Sequence, residues 1–269
     1  MGFDLVLEIE PPMRPSLVHA RHQIGVLGKV ADAFLVPDNH LGRATVSSLA
    51  VAHEVAQMGG RAIACLNSRD RNVLGFRRDL LTAAAYGVEE CLLVYGDRPD
   101  VGRRSDDVSV RRMMEEIRTF GGTEVFAGCA PFRVGATTRL TPLAPFKAGA
   151  DFLVTQVSHA IDDVARWRDA IDFEGPIYAG VMVVASASMA RKLAAESEQL
   201  AVPGWLVDAV DRDPSAGVDA VVDLVAALRE HGGFAGAHII GVSRYRELAA
   251  RLEAVGWSRT ARAARPGSR

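Results

Sequence analysis

The feature that most narrows what this chain can fold into is a recurrence of pattern rather than of letters. Eight short apolar segments follow one another: FDLVLEIE (3–10), ADAFLVP (31–37), RAIACLN (61–67), ECLLVYG (90–96), TEVFAGC (123–129), DFLVTQ (151–156), PIYAGVMVV (176–184) and AHIIGV (237–242). Their centres lie mostly about 30 residues apart, the length of one strand plus its crossover helix. The apolar runs are nearly continuous instead of alternating, as in parallel strands covered on both faces. Between them, 43–59 and 214–230 space their apolar residues three and four apart, and Gly59 and Gly232 stand where helices end. Pro203-Gly204-Trp205 splits the helical stretch of the seventh unit in two. Eight such units close as a (β/α)8 TIM barrel, and 269 residues suffice for one domain of that kind and are short for two. The expected barrel spans 1–257, followed by a flexible, arginine-rich tail at 258–269.

Composition removes several classes of partner. With 33 acidic and 31 basic residues the net charge is only −2, so no global field draws the chain to nucleic acid or to an anionic membrane. The three cysteines, Cys65, Cys91 and Cys129, show neither CxxC spacing nor a disulfide framework, which fits a reducing compartment. No apolar run approaches the roughly 18 residues of a membrane span, and Glu8 arrives too early for a signal peptide. The expectation is a cytoplasmic protein, monomeric or a small homo-oligomer, acting on a small molecule.

A parallel barrel carries its chemistry at the carboxyl ends of its strands. The polar residues there are Glu8 and Glu10, Asp38 and Asn39, Asn67, Asp97, Gln156, Ser186, Ser243 and Arg244. Glu8 and Glu10 are two apart on one strand and so point the same way. A partly desolvated carboxyl at a barrel mouth is a candidate general acid near neutral pH; the alternative is pairing with Arg14 or Arg21. Asp97 suits either ligand binding or a turn. Gln156 offers a donor and an acceptor to an amide-like heterocycle, or ties down a loop. Arg244 can receive a carboxylate or phosphate, or be a solvated surface residue. GxGxxG, Walker and HExxH motifs are absent, and His19, His22 and His40 have no companions that complete a metal set.

Taken in order, these strand ends resemble those of the methylenetetrahydrofolate reductases. LEIEPP (7–12) is similar to that family's FEFFPP segment, YGDRP (95–99) to its GD-x-P turn, and KAGADFLVTQ (147–156) to its DAGA…ITQ segment. GPIYAGVMVVAS (175–186), VPGWL (202–206) and GAHIIGVSR (236–244) are similar to its later strand, helix-break and final-strand motifs. The resemblance implies reduction of 5,10-methylenetetrahydrofolate to 5-methyltetrahydrofolate by NADH or NADPH. It gives Glu8 the role of catalytic acid. It makes Asp97, Gln156, Ser186 and Arg244 folate contacts, and Asn39, Asn67 and Tyr95 contacts to the cofactor. Glu10 and Ala187 depart from the family pattern, the latter standing in place of a stacking phenylalanine. The flavin ligands align with Pro37, Ala62, Tyr95 and CAPFR (129–133), none of which matches, so tightly bound FAD is not expected. Two other readings remain at this stage: a folate-binding barrel without catalysis, and a different redox barrel using a flavin or deazaflavin.

Overall fold

In the computed structural model, which describes residues 2–196 and 201–258, eight parallel strands pair in sequence order and β8 returns to β1, closing the barrel. The strands are β1 (Asp4–Glu8), β2 (Ala33–Val36), β3 (Ala62–Asn67), β4 (Glu90–Val94), β5 (Arg133–Thr138), β6 (Phe152–Val157), β7 (Ile177–Met182) and β8 (Gly236–Ile240). The helices lie outside: α1 (Val18–Leu27), α2 (Ser48–Gln57), α3 (Val73–Ala85), α4 (Val110–Thr119), α5 (Ile161–Ala170), α6 (Ala187–Glu196), α7 (Gly204–Arg212), α8 (Ala216–His231) and α9 (Tyr245–Ala254). Pro203 caps α7, and α2 and α8 run into the left-handed glycines Gly59 (φ 76°) and Gly232 (φ 75°). The arginine-rich run after Ser258 lies outside the described residues.

Side-chain alternation sorts each strand into two faces. Leu5, Leu7 and Ile9 point outward into the main core beneath the helices, as do Ala179, Val181 and Ile239. Val6, Leu35, Ile63, Cys65, Leu92, Phe152, Val154 and Tyr178 fill the barrel itself. At the amino-terminal end the filling turns ionic: Arg61 reaches Asp4 at 3.2 Å and Glu90 at 3.3 Å, and Arg133 reaches Glu90 at 3.0 Å. These pairs floor the barrel and leave its carboxyl-terminal mouth as the open end.

The fifth strand is not where the apolar pattern places it. TEVFAGC holds only a 3-10 turn, Glu124–Phe126, and β5 follows ten residues later than the pattern suggests, at Arg133–Thr138. Phe126 is buried edge-on between Phe120 and Phe132, at 5.3 and 5.8 Å, while Val125 is exposed. A local aromatic cluster therefore produces the apolar signal. The true strand, RVGATT, is weakly apolar because Gly135 has a large neighbour beside it on the paired strand β6: a Cβ there would collide with the Phe152 ring. Helix α2 also begins later than its periodicity suggests. Ser47 takes extended geometry and accepts a hydrogen bond from Leu49 N at 3.3 Å, leaving 43–47 as loop at the barrel mouth.

Candidate active site

At the carboxyl ends of the strands lies a cavity of about 350 Å³ whose walls include Glu8, Pro37, Asp38, Cys65, Tyr95, Asp97, Thr137, Arg139, Gln156 and His238. Glu8 is the last residue of β1 and stands one inward step above Val6, so strand alternation sends its carboxylate into the barrel. Glu10 lies beyond the strand and is exposed. On the neighbouring strand β8, His238 is also inward, and its Nε2 stands 3.3 Å from Glu8 Oε2 with both side chains about nine-tenths buried. The alignment is not that of a hydrogen bond, and among the described residues Nε2 has no hydrogen-bond partner. Cys65 forms the adjacent wall, where burial, with the charges of Glu8 and Asp38, pushes its thiol well above the ordinary value and keeps it protonated.

Two loops supply the rim. Asp97, after β4, accepts a hydrogen bond from Leu41 N at 2.8 Å, which draws the loop after β2 over the mouth. That loop is strained: Asn39 (φ 48°) and Leu41 (φ 55°) are left-handed, and a Cβ at Gly42 (φ 74°) would collide with Arg98 O. Tyr95 carries the Arg104 guanidinium 4.0 Å above its ring. Gln156 owes its position to a register shift between β6 and β7 at Val154 and Val157. There Thr155 Oγ1 turns inward along the backbone, accepting from Gly180 N at 2.9 Å and donating to Gln156 O at 2.9 Å. The irregularity leaves Gln156 exposed at the cavity wall, as bulges beside active sites commonly re-aim side chains.

Other expected contacts fall elsewhere. Asn67 is fully buried and occupied: Nδ2 donates to Asp38 Oδ2 at 2.7 Å and Asp70 Oδ2 at 3.0 Å, and Oδ1 accepts from Asp70 N at 2.9 Å. Asn39 donates to Asp70 Oδ2 at 2.8 Å and accepts from Thr45 N at 3.2 Å. Arg71 joins the same network through Asp38 and, at 2.8 Å, Asp79. Burial alone would raise the Asp70 carboxyl, but hydrogen bonds from Arg69, Asn39 and Asn67 outweigh it and hold the group at about 2. Ser186 caps α6, accepting from Met189 N at 3.2 Å, and Arg244 pairs with Glu247 at 2.7 Å in the first turn of α9. Neither residue lines the cavity.

The sequence reading missed His238, Thr137 and Arg139. His238 has a signal in the sequence: it is the one polar residue inside AHIIGV, at the inward register of its strand, although it is not at a strand end. Thr137 and Arg139 were hidden by the misplaced fifth strand. The same error bears on the flavin alignment. Ala62 opens β3 and CAPFR runs into the first residue of β5, so both lie at the amino-terminal end of the barrel, away from the mouth. They carry no information about a flavin site. What does bear on it is the donor set after β2 and β3, where Asp38, Asp70 and Asp97 stand together and Arg69 and Arg71 are engaged with these carboxylates or neighbouring carbonyls. A rim whose Arg69 and Arg71 are already engaged offers little for the tight, permanent diphosphate grip that a resident FAD needs, whereas a nicotinamide that exchanges at each turnover needs no such grip. Among the described residues no group of three or more His, Cys, Asp or Glu is placed to hold a metal ion, and no helix is long and apolar enough to cross a membrane.

The family model for methylenetetrahydrofolate reductase matches residues 34–256. No curated protein matches the chain in sequence. Among solved structures, an uncharacterised protein from Clostridium thermocellum that binds two copies of 5-methyl-5,6,7,8-tetrahydrofolic acid superposes with a TM-score of 0.64 at 11% identity, covering 94% of this chain and 96% of the other. DmoA from Hyphomicrobium sulfonivorans gives 0.54 at 9% identity over 94% and 88% of the two chains. A tryptophan synthase complex from Pyrococcus furiosus gives 0.53 at 12% over 96% and 93%. At such identities the structural neighbours establish the barrel fold and nothing finer.

Proposed function

The chain belongs to the methylenetetrahydrofolate reductase family, and from that premise we propose that it reduces 5,10-methylenetetrahydrofolate to 5-methyltetrahydrofolate with a reduced nicotinamide. The observation that carries the reading is the Glu8 carboxylate, buried at the base of the cavity beside His238 and facing a rim that holds Asp97 and Gln156. The folate-binding neighbour from Clostridium thermocellum supports a folate as the ligand class.

In this reading the pterin enters the mouth edge-first. Gln156 presents both a donor and an acceptor to its amide-like face, and the second oxygen of Asp97 accepts from its ring nitrogens. Glu8 donates its proton to the bridging nitrogen remote from the pterin ring as the bond from that nitrogen to the one-carbon unit breaks. This leaves a cationic iminium at the other nitrogen. A reduced nicotinamide, when bound, would supply the hydride that turns the iminium carbon into the methyl group. Glu8, now a carboxylate beside the His238 ring, stabilises the cation before transfer and is reprotonated from solvent before the next turnover. The buried wall of Cys65, Leu92 and Val154 excludes water from the carbon that would otherwise be hydrolysed.

We infer no tightly held FAD, on the acidic, internally paired rim after β2 and β3 rather than on the alignment of single residues. The experiment is oxidation of NADH and of NADPH by the purified protein, with and without methylenetetrahydrofolate and with and without added FAD. The reading expects oxidation that requires the folate and is indifferent to FAD. A yellow protein with about one FAD per chain, or strict dependence on added flavin, overturns the flavin-free part. Folate binding without turnover would instead make the barrel a folate-binding protein. A cytoplasmic site of action is part of this reading, and free thiols at Cys65, Cys91 and Cys129 are compatible with a reducing compartment.

A further inference from the structure

Helix α3 turns an unusual face to solvent. Its outward residues are Leu74, Arg78, Leu81, Ala85 and, at its end, Tyr86, spaced so that they form one stripe. Phe76, Leu80 and Ala83 occupy the other side and pack into the core. The neighbouring α4 exposes Arg111, Arg112 and Arg118, and α5 exposes Asp162, Asp163 and Arg166, as helices that face water do. On α3, by contrast, Leu74 is 78% and Leu81 43% exposed, and Arg78 is the one charge in the stripe. The face is also held rigid at its end, where the His53 ring of α2 stacks on Tyr86 at 4.4 Å.

The charges around the stripe complement one another when α3 is laid antiparallel on a second copy of itself. Arg78 bonds Asp79 Oδ1 through Nε and Nη2, at 3.2 and 3.0 Å, which leaves Nη1 for another acceptor. Glu89, in the turn that follows α3, is exposed, and among the described residues its side chain forms no ion pair. With a two-fold axis at Leu81, that residue meets its own counterpart. Arg78 then lies over the partner subunit's Tyr86, with the partner subunit's Glu89 just beyond. The guanidinium points at the carbonyl end of the facing helix, where the helix dipole also favours a cation. Two-fold symmetry makes each of these contacts twice.

We propose that the chain forms a symmetric homodimer through antiparallel pairing of α3, with Arg78 of each copy meeting Glu89 of the partner subunit. The proposal is independent of the folate reading, since α3 lies outside the barrel and none of these residues lines the mouth. A seam one helix wide and about 20 Å long stands at the small end of interface sizes, so the expected dissociation constant is micromolar.

The test is sedimentation equilibrium of the full chain from about 2 to about 200 µM, the range in which such a dimer forms. The wild type is expected to pass from one chain mass towards two. Leu81→Glu is expected to weaken association at least about tenfold, because it places like charges together in a dry seam. Arg78→Glu and Glu89→Arg should each weaken it by a similar factor through like-charge contacts. Mixed in equal amounts, these two variants should associate with each other to within about threefold of the wild type, because every contact then pairs opposite charges. Circular dichroism checks that each variant is folded, and recovery in the mixture cannot come from misfolded chains. A wild type that stays monomeric at the highest concentration overturns the proposal and leaves the face to a different protein. Leu81→Glu that associates like the wild type overturns it by moving the interface elsewhere. A mixture that associates no better than its separate components overturns the Arg78–Glu89 pairing and with it the antiparallel seam.

Discussion

At the scale of single residues, the account depends on Glu8 and its surroundings. A positioned general acid contributes about 100- to 10,000-fold, so Glu8→Gln is expected to lower kcat at least about 100-fold while folate affinity stays close to wild type. Glu10→Gln, at an exposed position beyond the strand, should stay within about twofold. Steady-state kinetics on both variants checks the pair, and a reversed order would move the acid to Glu10. Asp97 and Gln156 are expected to differ in kind. Asp97→Ala removes the acceptor for Leu41 N as well as the proposed pterin contact, so it should weaken folate binding and also speed amide exchange over 39–42. Gln156→Ala should weaken binding alone. Hydrogen exchange beside a folate titration separates the two, and unchanged exchange in Asp97→Ala would show that the strained loop holds itself.

At the scale of elements, most strands are legible because continuous apolar runs such as AFLV and IYAGVM have few other uses in a chain of this length. β5 is the exception, and the reason is steric. A barrel interior must fit side chains of unequal size, so Phe152 requires a residue without a side chain opposite it, and Gly135 with two threonines lowers the apolar signal of the strand. Meanwhile Phe126 supplies a stronger signal from a turn. Gly135→Val is therefore expected to destabilise the protein by about 1–3 kcal/mol, through a displaced Phe152 ring, as overpacking of a filled core does. A denaturant midpoint close to wild type would contradict this. The candidate site was legible in the same uneven way. Glu8, Asp97 and Gln156 end strands whose boundaries are clear and do meet at one cavity. Ser186 and Arg244 also end strands, yet their side chains serve the helices that follow. His238 sits within a strand, and Arg139 follows the one strand the pattern misplaced.

At the scale of the whole molecule, polarity is divided between two ends of one barrel: paired ions close the floor, and the mouth combines a buried acid with a network of carboxylates held by arginines. That network gives a pH signature. Asp70 drops from an ordinary 3.8 to about 2 in the folded protein. Its contribution to stability is therefore complete above the unfolded value and is lost as pH falls from about 4 towards 2. Unfolding midpoints measured across this window should fall more steeply for the wild type than for Asp70→Asn, and parallel curves would remove Asp70 from the acid response. In the proposed reaction the mouth delivers a proton from Glu8 and a hydride to a folate-bound carbon. The most direct measurement is single-turnover product analysis with NADH deuterated at the transferred position. The wild type should form 5-methyltetrahydrofolate carrying one deuterium in its methyl group, and Glu8→Gln should form it at least about 100-fold more slowly. Absence of the methyl product, or equal rates in the two proteins, would contradict the account.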